Sequence, residues 1–172
     1  LIAPAASKAY KNWTIEGYAA LADHAAARGF QVLLCGGPTP LEKQMGDDIQ
    51  ARCQHQPGNL IGQTSLKQLM ALIKQAQLGL APDTGPTHMA TAAGVPVIGL
   101  YAHHNPQRTG PYRSRELVVS VYQPLMEAQR GRPLAELPWR SRLKDDQAMT
   151  RIQPQAVLET FDRFVQAHFP AQ

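Results

Sequence analysis

Short apolar runs alternate with amphipathic stretches from the first residue of this chain onward. Leu1, Ile2 and Ala3 read as a strand, and the polar turn from Ser7 to Trp13 leads into a helix predicted over residues 14–28. There Ile15, Tyr18, Ala22, Ala25 and Ala26 recur at helical spacing, and Gly29 stops the helix. Residues 30–35 form the next predicted strand, closed by Gly36-Gly37-Pro38 and followed by a helix over residues 41–53 and a short strand over 59–62. Leu66, Leu69, Met70 and Ile73 make an apolar stripe on a helix over residues 65–75, for which Thr64 is the expected cap. Strands at 78–81 and 97–101 then enclose a helix at 86–93. Residues 102–114, rich in His, Pro, Arg and Gly, have no periodicity and read as a loop, and residues 117–121 read as one more strand. Pro124, Pro133 and Pro138 interrupt any long element between residues 122 and 149. Val157, Leu158, Phe161, Phe164 and Val165 supply the buried side of a last helix over 154–168. Strand and helix alternating with short connections predict an α/β fold, a doubly wound parallel sheet between helices.

The densest junction in this pattern is Asp83-Thr84-Gly85-Pro86-Thr87-His88. Asp83 falls at the carboxyl end of a strand, the edge on which open α/β sheets bind ligands. Thr84 suits a helix cap, Pro86 suits the first turn, and Gly85 admits close backbone approach, so the free amides of this helix would face an anion. A plain helix start uses the same residues, and local chemistry leaves the two readings evenly balanced. Two further loops should open on the same edge, one carrying Ser7 and Lys11, the other Gly36 and Gly37. Together they offer a hydroxyl, an ammonium and exposed backbone amides, enough to hold a diphosphate without relying on a metal.

Each residue also has an ordinary reading. Lys11 alone suits a solvated lysine, Ser7 a turn former, and Gly36-Gly37-Pro38 a turn. Glu42 suits a carboxylate favoured by a helix dipole as well as an acceptor for a ribose diol. His88, His103 and His104 invite a metal or a general base, yet the sequence has no i, i+4 histidine pair with a carboxylate and no cysteine cluster, so no metal is expected. No G-x-S-x-G, P-loop or G-x-G-x-x-G run is present, which argues against those hydrolase, nucleotidase and dinucleotide readings.

Composition narrows the partners. With 172 residues and 44% hydrophobic content the chain can bury a core and is expected to form one domain, residues 1–172, with 154–169 as its C-terminal helix. The formal charge is +4, and Arg108, Arg113, Arg115, Arg130, Arg132, Arg140 and Arg142 crowd the second half. That asymmetry favours an anionic ligand or an acidic membrane surface, and the absence of aromatic-basic interleaving argues against nucleic acid. Cys35 and Cys53, without metal spacing, read as free thiols of a reducing compartment. No apolar run approaches the roughly 18 to 20 residues that a membrane-spanning helix needs. Because residue 1 is not Met and already reads as strand, the chain is expected to be part of something longer.

Several of these residues, in this order, resemble the C-terminal half of the ADP-heptose:lipopolysaccharide heptosyltransferases, glycosyltransferase family 9. They are Ser7 with Lys11-Asn12-Trp13, Gly36-Gly37-Pro38 with Glu42, Thr64-Ser65-Leu66, Asp83 to Ala90, Val95-Pro96 with Leu100-Tyr101, and Asn105-Pro106-Gln107-Arg108-Thr109-Gly110-Pro111. The resemblance implies a Rossmann-like domain of a two-domain GT-B enzyme, the half that binds ADP-heptose, whose sugar is transferred with inversion to the lipopolysaccharide inner core. By position it implies that Ser7 and Lys11 hold the donor phosphates, with Lys11 stabilising the leaving group. It further implies that Gly36 and Gly37 line the nucleotide, that Glu42 binds the ribose, and that Thr84 and Gly85 donate amides to the diphosphate. Asp83 would contact the sugar or order the loop, Pro86 would begin the helix, and His88 would support the loop from the helix.

The same resemblance places the catalytic base on an N-terminal domain, so that this chain alone would bind donor without turnover. It implies no cofactor and no metal, a lipopolysaccharide core acceptor bound through the other domain, and a cytoplasmic location peripheral to the inner membrane of a Gram-negative bacterium. The chain departs from the family pattern at Thr14, where Pro is common, and at Ala102-His103, where Gly is commoner. A UDP-sugar transferase or epimerase of the same architecture, or a non-catalytic nucleotide-binding module, are the alternatives. Residues 113–150 carry no motif with an assigned role.

Overall fold

Ile2 stands at the centre of the sheet. In the computed structural model, which describes residues 1–169, Ile2 bridges Leu34 on one side and Leu80 on the other, both in parallel sense. The strand expected at residues 1–3 is therefore a single bridged position, extended by Ala3 N–H donating to Leu80 O at 2.9 Å. On one flank lie β1 (Leu33–Leu34) and β2 (Gly58–Asn59); on the other lie β3 (Gly79–Pro82), β4 (Val97–Tyr101) and β5 (Val119–Ser120). Every pairing is parallel, with Gly79 opposite Val97 and Leu100 opposite Val119. Across the sheet the order is β2, β1, Ile2, β3, β4, β5. The winding direction thus reverses between Ile2 and β3. Loops leaving those two neighbours diverge, and the crevice between them is where open α/β sheets bind ligands. The last three residues of the expected domain, 170–172, lie outside the described residues.

Alternation along the strands sorts the core into two faces. Ile2, Leu34, Leu80, Ile98 and Leu100 face a large cluster with Trp13, Tyr18, Leu21, Ile49, Tyr122, Met126 and Phe161. On that side α1 (Ile15–Ala27) packs against α2 (Pro40–Arg52) and α7 (Pro154–His168). Ala3, Cys35, Ala81 and Val97 face the other way, and their small side chains let α3 (Leu66–Gln75) and α4 (Gly85–Ala93) pack through Leu69, Ile73 and Ala90, with Val95 just past α4 in the same cluster. Period-two alternation within short buried strands builds this two-sided core.

Local signals account for most element ends. Thr14 accepts a hydrogen bond from Gly17 N at 3.1 Å to start α1, and Gly29, at φ 84°, ends it in a conformation that disfavours a side chain. β1 is shorter than the predicted 30–35 and β2 sits earlier than 59–62. Single backbone bonds prolong their pairing, Leu60 N–H donating to Leu34 O and Gly62 N–H to Gly36 O. The predicted strand over 117–121 narrows to β5, preceded by a 3-10 turn at Arg115–Leu117. Residues 102–114 are not entirely loop: Asn105 caps the single turn α5 (Pro106–Thr109). Pro124 does not break α6 (Tyr122–Arg130), because it lies in the first turn, where no intrahelical amide is needed. Tyr122 and Met126 are buried on its inner side.

The cap of α3 is Ser65, not Thr64. Ser65 Oγ accepts from Gln68 N at 3.3 Å, and Ser65 N donates to Gln68 Oε1 at 2.8 Å, a reciprocal capping box. Ser65→Ala is accordingly expected to lower stability by about 1 kcal/mol, measured by urea unfolding, whereas Thr64→Ala removes no cap. Equal losses for the two variants would contradict the assignment.

Candidate functional site

The crevice between Ile2 and β3 is walled by two loops whose positions are fixed from several directions. After the central strand position, Tyr18 Oη donates to Pro4 O at 2.9 Å and Ala6 N donates to Asn12 Oδ1 at 2.7 Å. The 3-10 turn Ala9–Lys11 follows, and Trp13 Nε1 donates to Ile152 O at 2.9 Å. Tyr10 meets the His103 ring edge-on at 4.9 Å, and His103 Nε2 lies 2.9 Å from Asp145 O. Burial holds His103 below the ordinary histidine range, which favours a neutral ring donating Nε2–H to that carbonyl. Residues 143–152, which carried no motif, thus brace the turn that presents Lys11.

Across the crevice, Thr84 occupies the cap position of α4 with extended backbone. Its side chain makes no capping bond, contrary to the expectation for a cap. The first amides of such a helix have no intrahelical acceptor and lie at the positive end of the helix dipole. Gly85 is exposed, and a Cβ placed on it would meet nothing within 4 Å. Pro86, half-buried, follows it in the first turn, while Thr87 is fully buried and donates Oγ1–H to Pro82 O at 2.7 Å. Thr87 is therefore structural, holding the helix start against the end of β3.

Asp83 is the meeting point of three side chains. Lys11 Nζ lies 3.7 Å from Oδ2, His88 Nε2 lies 3.7 Å from Oδ1, and His104 Nδ1 lies 2.5 Å from Oδ2. Asp83, Lys11 and His104 are each less than one-fifth exposed, whereas His88, 56% exposed, reaches the Asp83 carboxylate from the helix. His104 is the partner of Asp83 that sequence reasoning did not pair with it. It lies three residues beyond β4, the strand paired with β3, on the loop that leaves the same edge of the sheet and bridges Arg142.

Gly36, Gly37 and Glu42 form a second group on the same edge, beyond β1. A Cβ on Gly37 would lie 2.7 Å from Glu42 Oε2, so glycine at this position lets the carboxylate fold over the loop. Glu42 Oε2 and Thr64 Oγ1 are buried without a hydrogen-bond partner in the protein. Buried acceptors and hydroxyls are normally paired, and these two are suited to a hydroxyl-bearing ligand. Asn12 ties this side to the Lys11 turn by donating to Met45 Sδ on α2. Ser7 is exposed on the Lys11 loop and makes no hydrogen bond among the described residues.

The structure thus brings Lys11, Asp83 and His88 into one cluster, adds His104, and leaves Gly36, Gly37 and Glu42 as a neighbouring one. An ammonium, the exposed His88 ring and a helix start can hold a dianion beside the Asp83 carboxylate that His104 engages, and a carboxylate beside two glycines can hold a diol. A hollow of about 640 Å3 lies elsewhere, at the amino ends of the strands among Leu21, Phe30, Leu78, Phe161 and Val165. It holds none of these groups. Burial pushes the Cys35 thiol up to about 12 and the Cys53 thiol up to about 11, so both are protonated at neutral pH. No helix among the described residues is long and apolar enough to cross a membrane.

The pattern of glycosyltransferase family 9 (heptosyltransferase) matches residues 1–138. The lipopolysaccharide core heptosyltransferase OpsX of Haemophilus influenzae is 48% identical over 158 residues, covering 92% of this chain and 46% of that protein. Among solved structures, the E. coli ADP-heptose lps heptosyltransferase II superposes with a TM-score of 0.73 at 26% identity, over 96% of this chain and 46% of that one. The E. coli heptosyltransferase WaaC with ADP has a TM-score of 0.68 at 17% identity, over 95% of this chain and 43% of that one, a likeness of fold. The chain spans about half the length of the relatives it matches.

Proposed function

This chain belongs to glycosyltransferase family 9, the heptosyltransferases, and from that footing we propose that it is the ADP-heptose-binding half of an inverting enzyme of lipopolysaccharide inner-core synthesis. The observation that carries the reading is the cluster of Lys11, His88 and His104 around Asp83 at the start of α4, on the crevice where the sheet reverses. As the sugar leaves, negative charge builds on the diphosphate. Lys11 and the amides of Thr84 and Gly85 are placed to stabilise that charge as it develops, which lowers the barrier rather than merely tightening ground-state binding. Ser7 adds a hydroxyl from the Lys11 loop. Glu42, with Gly36 and Gly37, takes the adenosine ribose, and the unpartnered Thr64 hydroxyl on the same edge suits the nucleoside as well.

The remaining half of the enzyme supplies the acceptor site and the base that deprotonates the acceptor hydroxyl. Exposed Arg130, Arg132, Arg140 and Arg142, with Trp139 at 59% exposure, support a peripheral approach to an anionic membrane on the cytoplasmic side. Calorimetric titration with ADP, UDP and GDP, with and without magnesium, tests the donor. ADP is expected to bind most tightly and magnesium to change little, because the charge on the diphosphate is met by protein groups. A clear preference for UDP would replace the heptosyltransferase reading with that of another nucleotide-sugar enzyme.

A further inference from the structure

We infer that His104 is a positioning residue that keeps Lys11 available to the donor diphosphate by occupying the carboxylate of Asp83. The inference rests on the donor-site reading and gives His104, which that reading leaves without a role of its own, a positioning one. Lys11 and His104 approach the same oxygen, Asp83 Oδ2, but at different ranges. His104 Nδ1 is at full hydrogen-bond distance, 2.5 Å, while Lys11 Nζ at 3.7 Å is attracted without being bonded. A carboxylate only accepts, so the short contact requires a proton on Nδ1, whether the ring is neutral or charged.

Without that donor, the partly buried Asp83 would turn to the nearest cation. A closed Lys11–Asp83 ion pair would spread the ammonium's charge onto the carboxylate and direct its N–H groups away from an incoming phosphate. His104 prevents this from a rigid seat. Its backbone bridges Arg142 in antiparallel sense, and its neighbour His103 receives Leu143 N–H at its carbonyl and reaches Asp145 O with Nε2. The segment that braces the Lys11 turn therefore also fixes His104. On the far side of Asp83, His88 faces Oδ1, so it cannot substitute for the bond at Oδ2.

The test uses the full-length protein, with ADP-ribose and AMP as calorimetric probes. His104→Ala is expected to weaken ADP-ribose about tenfold, the worth of one charge-assisted hydrogen bond, and AMP less, since AMP lacks the second phosphate. His104→Asn, whose amide nitrogen can take the Nδ1 position, is expected to restore most of the affinity. In a Lys11→Ala background, His104→Ala should cost little more, because there is no ammonium left to protect. Circular dichroism and thermal melting confirm that each variant folds. Unchanged ADP-ribose affinity in His104→Ala, failure of His104→Asn to restore it, or losses that multiply with Lys11→Ala would each overturn the inference. If the unmodified protein binds neither probe, the donor-site reading itself fails, and the inference with it.

Discussion

Replacing Lys11 with alanine is expected to weaken ADP binding by about 10- to 100-fold, the range of a charge-assisted hydrogen bond in a partly shielded site, and to weaken AMP binding much less. The asymmetry is the informative part. Lys11 is held on a 3-10 turn that Asn12, Trp13 and Tyr10 fix from three directions, so the turn presents its side chain at the crevice. It faces the start of α4 across the crevice, next to Asp83 at 3.7 Å. On the proposed reading a ligand carrying two phosphates would reach both walls, whereas one phosphate would be held by the helix amides alone. Calorimetry with the two nucleotides measures the difference directly. Equal losses would mean that Lys11 does not touch the terminal phosphate, and the assignment of a leaving-group role to it would fall.

Trp13→Ala is expected to destabilise the chain by about 3–5 kcal/mol, lowering the melting temperature by roughly 10 to 15 °C. Trp13 is 3% exposed, its ring lies edge-to-face with Tyr18, and its Nε1 donates to Ile152 O, far away in sequence. The ring also lies so close to α1 that a Cβ on Gly17 would collide with its Cζ2. Alanine leaves both a large void and an unpaired carbonyl, two costs that add. Trp13→Phe, which keeps most of the packing and loses only the donor, is expected to cost about 1–2 kcal/mol. Because Lys11 is two residues away, the alanine variant should also weaken ADP. Thermal melting and denaturant unfolding measure the first effect, and a loss below about 1 kcal/mol would show that the ring does not anchor the Lys11 turn.

Much of this was legible in the chain because local rules were sufficient. The predicted strand at residues 97–101 and helix at 154–168 coincide with β4 and α7, where apolar period and terminal prolines agree. The helix beginning around Gly85-Pro86 was readable from residue types whose backbone preferences leave few alternatives. What failed locally failed for nameable reasons. Pro124 was read as a breaker, yet the first helical turn has no amide to lose. Thr64 and Ser65 are equally good caps by type, and only the reciprocal bond with Gln68 chose between them. The short strands were overextended because apolar content marks a buried segment, while pairing partners decide how many of its residues form a ladder.

The site divides in the same way. Lys11, Asp83, Gly85 and Glu42 stood out because their neighbours in sequence mark strand ends and helix starts, and the carboxyl edge of a parallel sheet then collects them. His104 did not stand out as the partner of Asp83, nor residues 143–152 as the brace of the Lys11 turn, since neither has a local signal. The chain by itself determined the order of strands and helices, because these follow from periodicity and turn chemistry, while the family showed through the resemblance of its short motifs. Only the tertiary structure decided that Ile2 joins the two halves of the sheet and that His104 and Lys11 approach the same oxygen of Asp83. Such contacts depend on the register between strands distant in sequence, which comes from packing of the whole core and is written in no single stretch of residues.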